Sequence, residues 1–429
     1  MFDQQIHFKI TYWLLIAAMI TTPFTIFFML PIAILLFLNF IAEWNWKKRW
    51  ARIGENGMTR FFWIFLSVYM VYVLGMSYTQ NISYGMSNLE NKIWFLIAPF
   101  LIFMMSQENF TWKLRNRLIF IFIISTFAVS LINMGISLIE YLEFKNPFLF
   151  FYEKASHIPY ENPMHPTYLS MYITFAFIAA LYYIYFAPYD LKKWKKIVLG
   201  TSLPFLFIFN YLLQSKAGLI VFFVMVLIST LYLMNRIKVQ LIKSVLFVLL
   251  LCSFVFVTLR YGSETMNRMA AAVRDISTKK SNDDGVWRES ESASQRLVVW
   301  RIAAEQSLKN LPFGVGTGDA KDTMVNQYKV QGYHKLYHDQ LNPHNQYLHT
   351  FLALGLLGLA ALINYFAFPF FKSWKEKKLL YLAFMCIVMP NLLTESMLER
   401  GAGANFIALI MCILAYDAFS TDERKRTKD

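Results

Sequence analysis

Three short stretches between residues 294 and 358 carry side chains that could do chemistry: Arg296-Leu-Val-Val-Trp300, Pro312-Phe-Gly-Val-Gly-Thr-Gly318 and Asn342-Pro-His-Asn-Gln-Tyr347. The first follows Ser292-Ala-Ser-Gln295, which resembles a capping box, and Leu297, Trp300, Ala304 and Leu308 then recur on one face until Asn310-Leu-Pro312 ends the helix. Arg296 would sit in the first turn, where the helix dipole disfavours a cation unless an anion shares the site. A phosphate would use both the guanidinium and the free backbone N–H groups. Pairing with Glu291 is the alternative.

The third stretch reads as a helix start, with Asn342 as N-cap and Pro343 in the first helical position. There the positive helix end favours a neutral His344, able to accept a proton. Asn345 could orient it or a substrate. His349 lies about 140° further round such a helix, which suits packing or a polar contact between helices. The glycines lack the preceding strand and the Lys-Ser/Thr ending of a nucleotide loop, so they read as a tight turn, with Gly314 and Gly316 open to close approach by another segment or a ligand. A zinc site from His334, His338 and His344 with Asp339 is disfavoured, because Gly332 and Pro343 interrupt a helix and no hydrolase Glu follows. A Gly-x-Ser-x-Gly nucleophile elbow is missing too.

The elements that must position these residues are membrane spans. Of 429 residues, 57% are hydrophobic and 16% charged, with apolar runs long enough to cross a bilayer. They are apolar all round, unlike the alternating segments of a β-barrel. Spans are expected near 10–24, 26–43, 61–79, 92–106, 118–140, 165–188, 197–213, 217–235, 244–260, 343–371, 379–394 and 402–419. The expectation is an all-α polytopic membrane protein of about twelve transmembrane helices. It forms one integral membrane unit over 1–429, with a large periplasmic loop, 261–342, containing short helices of its own.

The net charge of +14 follows topology. Basic clusters at 47–52, 113–117, 192–196, 236–243, 372–378 and 424–426 fall in alternate loops, which the positive-inside rule makes cytoplasmic, together with both termini. Nucleic acid is therefore excluded as the partner, and membrane lipids are implied. Cys252, Cys386 and Cys412 all lie in apolar spans and read as packing, with no disulfide framework. The first span has no cleavage site and reads as retained.

Two outer segments could complete a site. Between the seventh and eighth spans the chain turns over Gln214-Ser-Lys216, on the same face as the large loop. Lys216 there could meet a phosphate or simply snorkel to headgroups. The stretch 145–167, with Glu153, Lys154, His157, Glu161 and His165, is either a solvated loop or a wall of an outward-facing cleft.

Ser215-Lys-Ala-Gly218, Arg296-x-x-x-Trp300, the Pro-Phe-Gly-Val-Gly segment, and Pro-His-Asn-Gln-Tyr347 followed by Gly355-x-x-Gly358 occur in that order. Together they resemble the O-antigen ligase and polymerase superfamily of bacterial inner-membrane glycosyltransferases. The resemblance covers 213–361 and implies a multi-pass inner-membrane enzyme with its site facing the periplasm. It also implies a glycan donor on undecaprenyl diphosphate and, as acceptor, lipid A–core (a ligase) or another lipid-linked glycan (a polymerase). By the same resemblance Lys216 and Arg296, with Arg288, would hold the donor diphosphate and His344 would take the acceptor proton, with inversion at the sugar. Lys216 stands where arginine is common, giving charge without a bidentate fork. A diphosphate is already a good leaving group, so neither metal nor other cofactor is called for. A transporter would instead gather ionisable groups at midplane in paired broken helices.

Overall fold

The computed structural model describes residues 4–25, 27–150, 164–186, 191–234 and 292–420, and every regular element among them is helical. In chain order these are α1 (Gln4–Phe24), α2 (Met29–Ala42), α3 (Trp46–Glu55), α4 (Thr59–Gly75), α5 (Ile82–Asn91), α6 (Ile93–Phe103), α7 (Trp112–Phe144) and α8 (Pro166–Tyr185). There follow α9 (Lys193–Leu212), α10 (Lys216–Met234), α11 (Ser292–Lys309), α12 (Ala320–Val330), α13 (His334–Asp339), α14 (Gln346–Lys375), α15 (Leu379–Thr394) and α16 (Gly401–Phe419). Helices cover each expected apolar stretch except 244–260, which lies outside the described residues. Six are long and apolar enough to cross a membrane, or seven if α2 and α3, bent by 107°, count as one broken span.

Helix α16 is apolar all round and accordingly central: every residue except Asp417 is buried. Phe406 packs against Phe122, Tyr172 and Phe384 at ring separations of 4.5–5.4 Å. The Tyr172 hydroxyl donates to the Ala402 carbonyl at 2.5 Å, so the phenol is not left unpaired in the core. Peripheral helices turn apolar stripes outward, as Ile220, Val224, Ile228 and Leu231 of α10 do at helical spacing. That is the face a lipid environment covers.

Two expectations are corrected here. Helix α11 starts at Ser292 as expected, but Val298, Val299, Ile302 and Ala303 are its buried apolar residues, whereas Leu308 is 62% exposed. Both faces are apolar, and packing on α14 selects the aliphatic one. The span at 343–371 is also not one continuous rod. It is interrupted at Gly355, whose φ of +60° and ψ of −149° lie outside helical space.

The glycine-rich segment fills that break. Val315 and Gly316 donate their N–H groups to the carbonyls of Leu352 and Ala353 at 2.9 Å, and the Leu356 N–H donates to the Pro312 carbonyl at 2.9 Å. These groups would otherwise be orphaned in an apolar surrounding. A Cβ on Gly355 would lie 1.9 Å from the Pro312 oxygen, and one on Gly314 2.6 Å from the Gly355 nitrogen, so only bare backbone fits on either side. Of the two close approaches open to Gly314 and Gly316, the structure shows that to another segment. The far end is pinned as well: Asp319 accepts the N–H groups of Gln80 and Asn81 at 2.8 Å, and the Thr317 hydroxyl donates to the Tyr72 carbonyl at 2.6 Å.

Candidate active site

Beyond that anchor the chain reaches His344, and here the local reading shifts by three residues. The N-cap of α14 is Asn345, whose side chain accepts the Leu348 N–H at 3.1 Å, and not Asn342. Asn342 instead accepts the N–H of His344 at 2.9 Å, a local turn that competes with helix formation. Pro343 and His344 therefore precede the helix, and His344 takes the left-handed conformation with φ +44°. For a residue other than glycine this costs roughly 1–3 kcal/mol and persists only where its surroundings enforce it.

What it gains is a carboxylate. Glu395, at the C-terminus of α15, is buried, and the His344 Nδ1 lies 3.0 and 3.1 Å from its two oxygens. The backbone N–H of Ser396 also donates to Glu395, at 3.2 Å. Burial alone would push this carboxyl up. The His344 hydrogen bond and the charges of His344, His165 and Arg296 outweigh it and hold the group below the usual carboxylate range. An ionised Glu395 only accepts, so in the neutral imidazole Nδ1 carries the proton and Nε2 keeps its lone pair. This is the arrangement of a general base with an orienting acid.

The candidate phosphate ligands gather on the same side. Arg296 is half-buried, forms no ion pair among the described residues, and stands close enough to stabilise the Glu395 charge. Lys216 is exposed at the start of α10. Its turn is tied to α8 by the Ser215 hydroxyl donating to Thr167 at 3.2 Å, two residues from His165. Gly218 permits this docking, since a Cβ there would meet the Ser170 hydroxyl at 2.2 Å. His165, in the stretch expected to wall a cleft, thus stands beside Glu395; Glu153, Lys154, His157, Glu161 and Arg288 lie outside the described residues.

Trp300 lies one turn beyond Arg296 with its indole N–H buried and unpaired. Asn345 spends its side-chain oxygen on the helix cap. Gly314 and Gly316 act on the helix break and not on the site. His334 and His338 are exposed on α13, a helix the sequence had disfavoured. No three His, Cys, Asp or Glu side chains converge among the described residues.

Sequence reasoning missed the acids. Glu395 and Glu399 lie in the turn 395–400 between two apolar helices, ahead of Arg400. Two carboxylates in so short a turn, on the face opposite the basic loops, were a visible signal. His349 does make the polar interhelical contact expected of it, with Nε2 3.4 Å from Glu399.

Residues 201–363 match a family model described as O-antigen ligase, a segment holding Lys216, Arg296 and His344 but neither acid. No curated protein matches the chain. Over residues 201–363, the segment that carries the basic turn, the loop arginine and the pre-helical histidine, the chain is similar to the O-antigen ligase family.

Proposed function

We propose that this protein is an O-antigen ligase-like glycosyltransferase that moves a glycan from undecaprenyl diphosphate to a hydroxyl of lipid A–core. The observation that carries the reading is the His344–Glu395 pair, with Arg296 close enough to stabilise the carboxylate and, among the described residues, in no ion pair, and with Lys216 exposed on the turn tied to α8. His344 Nε2 takes the proton of the acceptor hydroxyl as its oxygen attacks the anomeric carbon from the side opposite the leaving group. The carbon–oxygen bond to the diphosphate breaks, and configuration inverts. Lys216 and Arg296, with Arg288, neutralise the charge that develops on the diphosphate, and Glu395 stabilises the imidazolium.

The site lies at the helix ends remote from the clusters Lys192–Lys196 and Lys372–Lys378, which the positive-inside rule assigns to the cytoplasm. We therefore place it on the periplasmic face of the inner membrane, with both termini inside and about twelve spans in all. Polymerisation of lipid-linked repeat units is the rival, since donor handling is the same. Purified protein given lipid-linked glycan with lipid A–core, or with a second lipid-linked unit, separates the two. Product on lipid A–core alone supports ligation, chain growth on the second acceptor supports polymerisation, and no product with either removes both.

A further inference from the structure

Four residues after Glu395 the same turn carries a second carboxylate, Glu399, which the proposed chemistry leaves unused. Its side chain is 4% exposed and its oxygens meet Lys92 Nζ at 3.0 Å and His349 Nε2 at 3.4 Å. Lys92 is itself fully buried, with its ammonium 4.5 Å from the Tyr72 ring centroid. The Tyr72 hydroxyl donates to Glu399 at 3.4 Å, and the charge of Arg400 is nearby through Tyr84. Burial pushes the Glu399 carboxyl up, but the charges of His349 and Lys92 and the bonds from Gln346 and Lys92 prevail, lowering it to about 2. Glu399 is thus a fixed anion.

Gln346 connects this anion to the reacting pair. It is the first residue of α14, two after His344, and is fully buried. Its Oε1 accepts the Leu398 N–H at 2.7 Å, and its Nε2 donates to Glu399 at 3.1 Å and to the Thr350 hydroxyl at 3.1 Å. One amide therefore grips the turn at Leu398 and Glu399 while its own backbone sets where His344 leaves the helix. The turn in turn fixes Glu395, whose carbonyl accepts the Met397 N–H at 2.9 Å. His344 and Glu395 come from segments 51 residues apart, and their main chains meet through this side chain.

We propose that Gln346, held by the Lys92–Glu399 ion pair, is a positioning residue that sets the His344–Glu395 geometry, an inference that rests on His344 being the base. The groups facing the pair are His165, Arg296 and Tyr168; those facing the anchor are Lys92, His349, Tyr72 and Tyr84.

The test uses Gln346→Met, which keeps volume and loses the three bonds, with Thr350→Val as a control that cuts a network bond not reaching the turn. The full-length protein in nanodiscs is treated with diethyl pyrocarbonate across a pH series, and modification of His344 is followed by peptide mass spectrometry. The expected result is that Gln346→Met moves the wild-type pH profile part of the way toward that of Glu395→Gln. It should add nothing in the Glu395→Gln background, and Thr350→Val should keep the wild-type profile. In transfer assays kcat should fall about tenfold with donor KM unchanged, and that loss should vanish once Glu395 is replaced. A wild-type His344 profile in Gln346→Met, or losses that multiply with those of Glu395→Gln, overturns the proposal. The modification readout needs no transfer activity, so absence of glycan product with either acceptor counts against the proposed function alone.

Discussion

The turn 395–400 holds two carboxylates in opposite circumstances. Glu395 meets a histidine that is 26% exposed, while Glu399 meets a lysine and a histidine that are 0% and 2% exposed. A charge pair closed on all sides can only hold structure together, because nothing can be exchanged with it. A pair open at one nitrogen can pass a proton. Chemistry and anchorage are thus divided between neighbouring acids, and each should fail in its own way.

The largest expected effect breaks the closed pair. Lys92→Met leaves the buried Glu399 without its ammonium partner, and removing one partner of such a pair costs about 3–5 kcal/mol. Thermal or denaturant unfolding in detergent should show it, and an unchanged midpoint would deny Glu399 its anchoring role. Glu395→Gln should do the reverse, lowering kcat by roughly 10²-fold through a misoriented base while the unfolding midpoint moves little. Equal damage to stability from both substitutions would erase the distinction.

Acid should separate the pairs too. Both carboxyls are depressed in the folded state, so each contributes stability that is fully present above the ordinary carboxylate range and lost as pH falls through the folded value. For Glu399 that window runs from the ordinary carboxylate range down to about 2. Wild type should therefore lose stability across it more steeply than Glu399→Gln, as scanning calorimetry can follow. Smallest of all should be Lys216→Arg. The side chain is exposed and its task is charge, so donor KM should change no more than about threefold, whereas Lys216→Ala should raise it further.

The helical scaffold was legible because twenty-residue apolar runs leave few alternatives. Arg296 and His344 stood out as candidates because polar side chains are conspicuous beside an apolar helix. Their geometry was not legible. Asn342-Pro-His-Asn345 offers two possible N-caps, and the outcome depends on Glu395, which drew His344 out of the helix from fifty-one residues away. The break at Gly355 was hidden likewise: it needs the glycine-rich segment to supply its hydrogen bonds, and no local pattern declares such a pairing. Lys92 and Glu399 stand at the ends of apolar segments, and nothing local declares that the fold closes over both.

The central claim is that His344 takes the acceptor proton. Turnover of His344→Ala should be measured in proteoliposomes with saturating lipid-linked donor and lipid A–core, beside wild type of equal unfolding midpoint. The account predicts a loss of at least about 10²-fold in kcat with donor KM nearly unchanged. Wild-type turnover, or a loss confined to donor KM, would contradict it and leave His344 as a phosphate ligand.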